Sequence, residues 1–221
     1  RDEDTAVSDV EAFETVSIAA RGFYALEFLL FDPQFSAGED PEYQCKLIQA
    51  VTTDIAMTTH AIYAGWVDGY AGLMTNADND TYRSATEAAR QLFTALSTGL
   101  EFTSQTRLGR PMGTFERPRP NRAEARRSGR SLRHVVLSLQ ATRELAALIS
   151  GKRDALEQAF QKAIARAENL DDSVFAGVAD PQGRFKVEVL QQNIETIRTI
   201  LAEDVGPSLG IAAGFNSLDG D

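Results

Sequence analysis

Apolar residues along most of the chain recur at steps of three and four, which is the spacing of one face of an α-helix. The apolar and polar alternation that is typical of strands is absent. Stripes of this kind predict helices over residues 43–73, 82–100, 132–149, 156–170 and 187–201, separated by turn signals rich in Asp, Asn, Gly and Pro. We therefore predict an all-α fold, organised as an antiparallel helical bundle.

The first stripe runs from Val7 to Phe31 and predicts one further helix, with Glu27 at the centre of its apolar face. Burying an unpaired carboxylate costs roughly several kcal/mol. Glu27 is therefore expected to be protonated, paired with an arginine or bound to a metal ion. The structural alternative, which is equally open, is that Glu27 ends the buried stretch or joins an ordinary Arg pair.

An Arg/Pro-rich loop is predicted over residues 109–130, where Pro111, Pro118 and Pro120 prevent a continuous helix. Asn121 and Glu124 have the spacing of a capping box for the helix that follows. The region from 107 to 133 contains nine arginines. Arginine suits fixed, bidentate pairing with carboxylates, so we expect a clamp within the protein. The alternative is that some of these arginines reach Glu27 or an anionic ligand in a cleft between two bundles.

Composition narrows the class of protein. Hydrophobic residues make up 43% of the 221 residues and charged residues 24%, as in an ordinary globular protein, and no apolar stretch is long enough to span a membrane. The net charge of −10 disfavours nucleic acid as a partner. The single cysteine, Cys45, is interpreted as a buried thiol. Any targeting segment is expected to lie outside this sequence, and residues 206–221 are expected to form an ordered tail.

Three segments carry a resemblance to a known family. RGFYALEFLLF, at residues 21–31, resembles the imelysin segment G-x-H-x-x-E, with Gly22 and Glu27 matching and Tyr24 standing where histidine is usual. Residues 110–135 resemble the Arg/Pro-rich link into a helix of that family, and the final GFNSLDGD resembles its ending. The resemblance therefore covers the beginning, middle and end of the chain.

The resemblance implies two packed helical bundles. Residues 1–35 would be the last helix of an N-terminal bundle, and residues 41–221 would form the C-terminal bundle. Further N-terminal helices, or another chain, would then pack on residues 1–35. The resemblance also implies the periplasm or outer-membrane surface of a Gram-negative bacterium, a link to iron uptake, and a historical classification with metallopeptidases.

The residues of this sequence give little support for a metal-binding site. A zinc peptidase needs about three protein ligands and a general base, and the chain has no H-E-x-x-H helix. Its two histidines, His60 and His134, are expected to face solvent or a domain interface without a ligand partner. Tyr24 and Glu27 offer oxygen donors that suit iron, but two donors do not make a tight site. The alternative for Tyr24 is a core aromatic residue whose hydroxyl binds Glu27.

The leading hypothesis is an imelysin-like envelope protein that serves iron uptake, or iron-regulated binding, by holding a small anionic or iron-containing ligand in an interdomain cleft. The candidate ligand-binding residues are Arg21, Tyr24, Glu27 and Arg110. Glu27 is also the candidate metal ligand, for iron or another divalent metal, and the catalytic residue if there is one. The alternatives are a metallopeptidase and a noncatalytic structural or interaction protein.

Overall fold

The computed structural model describes residues 5–36 and 40–211, and every regular element in these two ranges is helical. This confirms the all-α class. The α-helices are α1 (Val10–Glu14), α2 (Gly22–Phe31), α3 (Pro33–Ser36), α4 (Pro41–Gly65), α5 (Ala71–Thr75), α6 (Ala85–Glu101), α7 (Gly109–Met112), α8 (Ser131–Ser150), α9 (Asp154–Glu168), α10 (Pro181–Ile200) and α11 (Gly206–Ser208). Three π-helical segments continue α4, α6 and α10, at Trp66–Tyr70, Phe102–Leu108 and Leu201–Val205. Short 3-10 turns occupy Thr5–Ser8, Ile18–Ala20, Pro120–Arg122 and Ala176–Ala179.

The chain divides into two compact units, unit 1 at Arg1–Leu73 and unit 2 at Met74–Asp221. The sequence suggested a boundary between residues 35 and 41, with α4 in the second bundle. In the structure α4 packs on α2 and α1, so it belongs to unit 1. The residues that hold it there are polar as well as apolar, because Arg21 pairs with Asp54 of α4.

Unit 1 is built on the long helix that the apolar stripe predicts. Asp40 caps its start by accepting a hydrogen bond from the Tyr43 amide at 3.0 Å, and Pro41 occupies the first helical position. A small buried core of Phe13, Leu29 and Val51 joins α1, α2 and α4. The stripe of α4 therefore packs on its neighbours only along its first half.

The predicted helix from Val7 to Phe31 is wrong, because two helices share that spacing. Helix α1 ends at Glu14, and Ser17 accepts a hydrogen bond from the Ala19 amide to begin a 3-10 turn. Gly22 then has φ of +78°, a left-handed conformation that a continuous helix cannot contain. Cys45 also corrects a prediction, since it is exposed on α4 rather than buried.

Unit 2 is a ring of four helices, in which α6 packs on α8, α8 on α9, α9 on α10 and α10 on α6. Three of the four agree with predicted helices to within three residues at each end, and α10 begins six residues before its predicted start. Ser84 caps α6 by accepting from the Glu87 amide, while Asp180 accepts from two amides at the start of α10. The centre of the ring is apolar and fully buried, and it includes Leu96, Leu100, Leu139, Phe160, Leu190 and Ile194.

An irregular segment links α7 to α8 and corresponds to the predicted Arg/Pro-rich loop. It begins after Met112 rather than at Gly109, because the helical backbone continues through Pro111. Within the described part of the chain, no helix is long and apolar enough to cross a membrane. The predicted tail lies mostly beyond Ile211, and the GFNSLDGD motif falls outside the described residues.

Candidate functional site

The segment that carries the imelysin-like motif starts with a brace between α2 and α4. Arg21 precedes α2 and points its guanidinium at Asp54, with Nε donating to Oδ2 at 3.1 Å and Nη2 donating to Oδ1. Nη1 donates to the carbonyl oxygen of Glu14. The hydrogen bonds that Arg21 donates to Asp54 raise the pKa of Arg21 above its ordinary value. Arg21 is therefore committed to Asp54 rather than to Glu27.

The two matching motif residues have separate physical roles. Gly22 adopts a left-handed φ of +78°, so a residue with a Cβ is strained there even though open space surrounds it. Glu27 is buried, with 9% of its surface exposed, as the sequence predicted. Its expected surroundings are wrong, however, because Phe23 and Phe31 one turn away are 68% and 51% exposed. Glu27 and Leu29 are the buried residues of α2, whereas Phe23, Tyr24, Leu30 and Phe31 are exposed.

Tyr24 lines an open cavity of about 330 Å³ in unit 1. The remaining wall is apolar and includes Ala20, Phe28, Leu29, Phe35 and Leu47. The rings of Phe28 and Phe35 meet edge to face, with 6.4 Å between their centroids, and so shape one side. Tyr24 itself is about half exposed, which corrects its interpretation as a core aromatic residue. The cavity falls within the usual size range of a small-molecule site, and its lining side chains are apolar apart from Tyr24.

The metal site that the family resemblance suggests at Glu27 does not fit the described residues. Residues 5–36 and 40–211 contain no group of three or more His, Cys, Asp or Glu side chains that could hold an ion. A structural or catalytic metal site needs about that many protein ligands. The role of Glu27 as a metal ligand therefore stays a prediction, and no peptidase step can be derived from these side chains.

A partly buried charged cluster in unit 2 was not predicted. Arg107, in the π-helical segment after α6, donates from Nε to Glu124 Oε2 at 2.7 Å and also binds Ser138 of α8. His134 Nδ1 lies 3.6 Å from Glu124 Oε1. Burial lowers the pKa of Arg107. Burial also raises the pKa of Glu124, while His134 acts in the opposite direction.

This cluster corrects two predictions. Asn121 and Glu124 form no capping box, because α8 begins only at Ser131 and the carboxylate of Glu124 is taken by Arg107. His134 has a partner, since it faces Glu124 and is only partly exposed. The predicted clamp between the Arg-rich segment and the bundle thus exists at Arg107. Its acid comes from the segment itself.

A second polar cluster surrounds the same π-helical segment. Arg198 of α10 bridges Glu101 at 2.9 Å and Glu195 at 2.7 Å. Ser104, which is fully buried, donates its hydroxyl to Glu195, and Gln191 donates to the Ser104 carbonyl at 3.0 Å. A π-helical turn displaces some backbone N–H and C=O groups from the regular hydrogen bonds of an α-helix. Gln191 binds one such group, the Ser104 carbonyl oxygen. The signal in the sequence was the polar run Thr103–Thr106, which interrupts the apolar stripe.

The structure does not test the proposed ligand set as a whole. Tyr24 and Glu27 lie on one helix, and Arg21 precedes it, all within unit 1. Arg110 is exposed on α7 of unit 2. The expectation that arginines of residues 107–133 reach Glu27 therefore stays a prediction.

Comparisons with known proteins agree with the motif. No curated protein matches the chain, and no solved structure does. A family model described as Imelysin matches residues 1–201, which is most of the sequence and includes both the G-x-Y-x-x-E segment and the Arg-rich segment. The chain belongs to the imelysin family.

Proposed function

We propose that this imelysin-family protein is a noncatalytic binding protein of the cell envelope that serves iron uptake. The observation that carries the proposal is the open apolar cavity lined by Tyr24, the residue that stands in place of the motif histidine. Membership of the family supports the link to iron and to the periplasm or outer-membrane surface. The cavity supports binding of a small ligand rather than a bare ion.

The lining of the cavity indicates the ligand chemistry. Apolar walls and the Tyr24 side chain favour a ligand that presents an aromatic or aliphatic surface. An iron complex with an aromatic chelating molecule fits these features better than iron citrate does.

Thermal shift and fluorescence titration with three probes test this proposal: the ferric complex of 2,3-dihydroxybenzoate, the same chelator without iron, and ferric citrate. The wild-type protein should bind the aromatic complex most tightly. Tyr24→Ala should weaken that binding roughly tenfold, because truncating a central aromatic contact costs about 1–2 kcal/mol. Tyr63→Ala removes an exposed tyrosine of α4 outside the cavity and should change nothing. Equal binding by all three proteins, or none, would overturn the proposal.

An interaction role is the second candidate, and a separate observation favours it. Ile62, Tyr63, Trp66, Val67 and Tyr70 form an exposed apolar stripe along the end of α4 and the π-helical turn after it. Contiguous apolar surface of this kind is typical of a helix that packs on another element. We propose that an amphipathic helix, from outside residues 1–221 or from another chain, covers this stripe as well as residues 1–35.

Binding of an apolar fluorescent dye tests whether the stripe is open. Dye fluorescence should fall by more than half in the double variant Ile62→Ser with Val67→Ser. The matched control, Leu137→Ser with Leu148→Ser, removes two exposed leucines of unit 2 and should have little effect. Concentration-dependent self-association that the first pair abolishes would identify a second copy as the partner. A wild-type protein that binds no dye would contradict an open stripe.

A further inference from the structure

Positive charge is concentrated in one short part of unit 2. Residues 110–133 contain eight arginines, two glutamates and no lysine, a net charge of +6 in a chain whose net charge is −10. By contrast, residues 1–73 have a net charge of −10. Such segregation creates a local field whose sign is opposite to that of the molecule as a whole.

The structure leaves most of this charge unpaired on the surface. Five of the arginines are exposed, and within residues 5–36 and 40–211 they form no ion pair: Arg110, Arg117, Arg122, Arg130 and Arg133. Of the two glutamates in the segment, Glu124 is bound to Arg107. We call these five residues the arginine surface. The uncapped start of α8, where Arg130 is the N-cap residue, adds the positive end of a 20-residue helix.

The backbone beneath the arginine surface is held in place. Gly113 has φ of +55° and a Cβ there would meet the Arg117 carbonyl oxygen at 2.5 Å, so the turn is tight. Arg184 of α10 donates from Nη1 to the carbonyl oxygens of Met112 and Thr114, at 2.6 and 3.1 Å. The 3-10 turn Pro120–Arg122 packs on α7, and both pack on the turn Ala176–Ala179. The surface is thus preorganised, which lowers the entropic cost of binding a partner.

An exposed aromatic residue lies in the same segment of the chain, between Arg110 and Arg117. Phe115 is 68% exposed at the tip of the turn, with the Arg184 guanidinium 5.9 Å from its ring centroid. Exposed arginine and phenylalanine without lysine is the composition of protein interfaces, where Arg and aromatic residues are enriched and Lys is depleted. A lipid surface would be served equally well by lysine and usually needs more than one inserted apolar group.

We propose that the arginine surface and Phe115 form a docking site for an acidic segment of a partner protein. Carboxylates of the partner pair bidentately with guanidinium groups of the arginine surface, and an apolar residue of the partner packs on Phe115. This interaction is independent of the ligand proposed for the cavity beside Tyr24, and it requires neither iron nor a metal site.

Fluorescence anisotropy with a labelled acidic peptide tests the proposal on the full chain. The probe contains aspartate and glutamate around one central leucine, and an otherwise identical Asn/Gln peptide is the negative probe. At physiological salt, Arg117→Glu with Arg122→Glu and Arg133→Glu should weaken binding more than about tenfold. Reversing three exposed cations elsewhere in unit 2, Arg90, Lys162 and Arg166, should change the affinity less than about twofold.

Replacing the same three arginines by lysine separates bidentate pairing from simple attraction. The lysine variant keeps the charge, so a loss of roughly threefold or more supports the docking site, as does a similar loss in Phe115→Ala. Full binding by the lysine variant overturns it. Binding of the wild-type protein to phosphatidylglycerol vesicles but not to the peptide overturns it in favour of a lipid surface. Circular dichroism and an unchanged melting temperature establish that each variant is folded.

Discussion

The two units of this protein differ in how far their apolar side chains are buried. Unit 2 closes four helices around one buried core, whereas Phe13, Leu29 and Val51 are the only buried apolar side chains among the described residues of unit 1. Of the 20 large hydrophobic side chains that are exposed in the described residues, 15 belong to unit 1. Unit 1 therefore has large apolar residues but leaves most of them exposed. The helices of unit 1 have the periodicity of packed helices but only part of the packing.

The comparison shows that an apolar stripe predicts a helix more reliably than it predicts burial. Spacing of three and four residues makes a helix amphipathic, and the partner that covers the stripe is a separate question. In unit 2 the partners are present in the same unit. In unit 1 the first half of α4 meets α2, and residues 56–65 of the same helix are exposed except at Ala64.

The largest effect that tests this comparison comes from one matched pair of isoleucines. Ile194 is fully buried in α10, while Ile62 is 68% exposed in α4. Ile194→Ala should lower the free energy of unfolding by about 2–5 kcal/mol, because it removes packed atoms and leaves a cavity. Ile62→Ala should change it by less than about 0.5 kcal/mol. Chemical denaturation of both variants measures this, and a comparable loss in Ile62→Ala would mean that α4 is covered in solution.

The sequence predicts the helices of unit 2 well because the apolar spacing that favours each helix also marks the face that packs in the core. The stripes that contain Leu139 and Ile194 predict both the helix and its buried face, and both predictions are confirmed. The first helix was wrong because periodicity alone cannot detect a break: Ser17 and Gly22 end one helix and start another without disturbing the spacing. Turn chemistry outweighed the pattern at that point.

The candidate site was less predictable for a physical reason. Glu27 is buried as expected, but the apolar face that predicted its burial is itself exposed at Phe23 and Phe31. The exposure of that face and the cavity beside Tyr24 depend on how α2, α3 and α4 meet. The contact between Arg107 and Glu124 spans an irregular turn of the chain. No helical period links these two residues, so nothing in the local pattern pairs them.

A smaller effect should come from the turn that supports the arginine surface. Gly113 combines φ of +55° with a neighbouring carbonyl oxygen that a Cβ would meet at 2.5 Å. Gly113→Ala should therefore cost about 1–3 kcal/mol in unfolding free energy. Gly22→Ala in unit 1 is the matched control, because it has the same strain in φ but open space around it, and it should cost less. A larger loss in Gly22→Ala would reverse the order that the two environments predict.

The charged cluster of unit 2 predicts a modest pH dependence. Burial raises the pKa of Glu124 above its ordinary value of 4.5. The folded state therefore binds more protons than the unfolded state just above pH 4.5, and stability falls as the pH rises through that window. Arg107 and His134 both face the carboxylate, and His134 limits the rise of its pKa. Denaturation of the wild type and Glu124→Gln at several pH values should show this fall only in the wild type.

Unit 1 contains an exposed ion pair that can be compared with the partly buried charges around Glu124. Glu42 and Lys46 form an exposed ion pair on α4, one turn apart. Such pairs are screened by solvent and salt, so Glu42→Gln should change the free energy of unfolding by less than about 0.5 kcal/mol. A wild-type stability that rises through the window above pH 4.5 would show that the pairing of Glu124 with Arg107 and His134 outweighs its burial.

The smallest expected effect on stability comes from two serines at the starts of helices, Ser131 of α8 and Ser84 before α6. The Ser131 hydroxyl is buried at the start of α8 without a hydrogen-bond partner among the described residues, so Ser131→Ala should be neutral or stabilising by up to about 1 kcal/mol. Ser84→Ala removes the hydroxyl that caps α6 and should cost about 1 kcal/mol. Denaturation curves of the two variants provide the measurement. If Ser131→Ala and Ser84→Ala lower the free energy of unfolding equally, the Ser131 hydroxyl has a hydrogen-bond partner. The start of α8 would then be more polar than the core of unit 2.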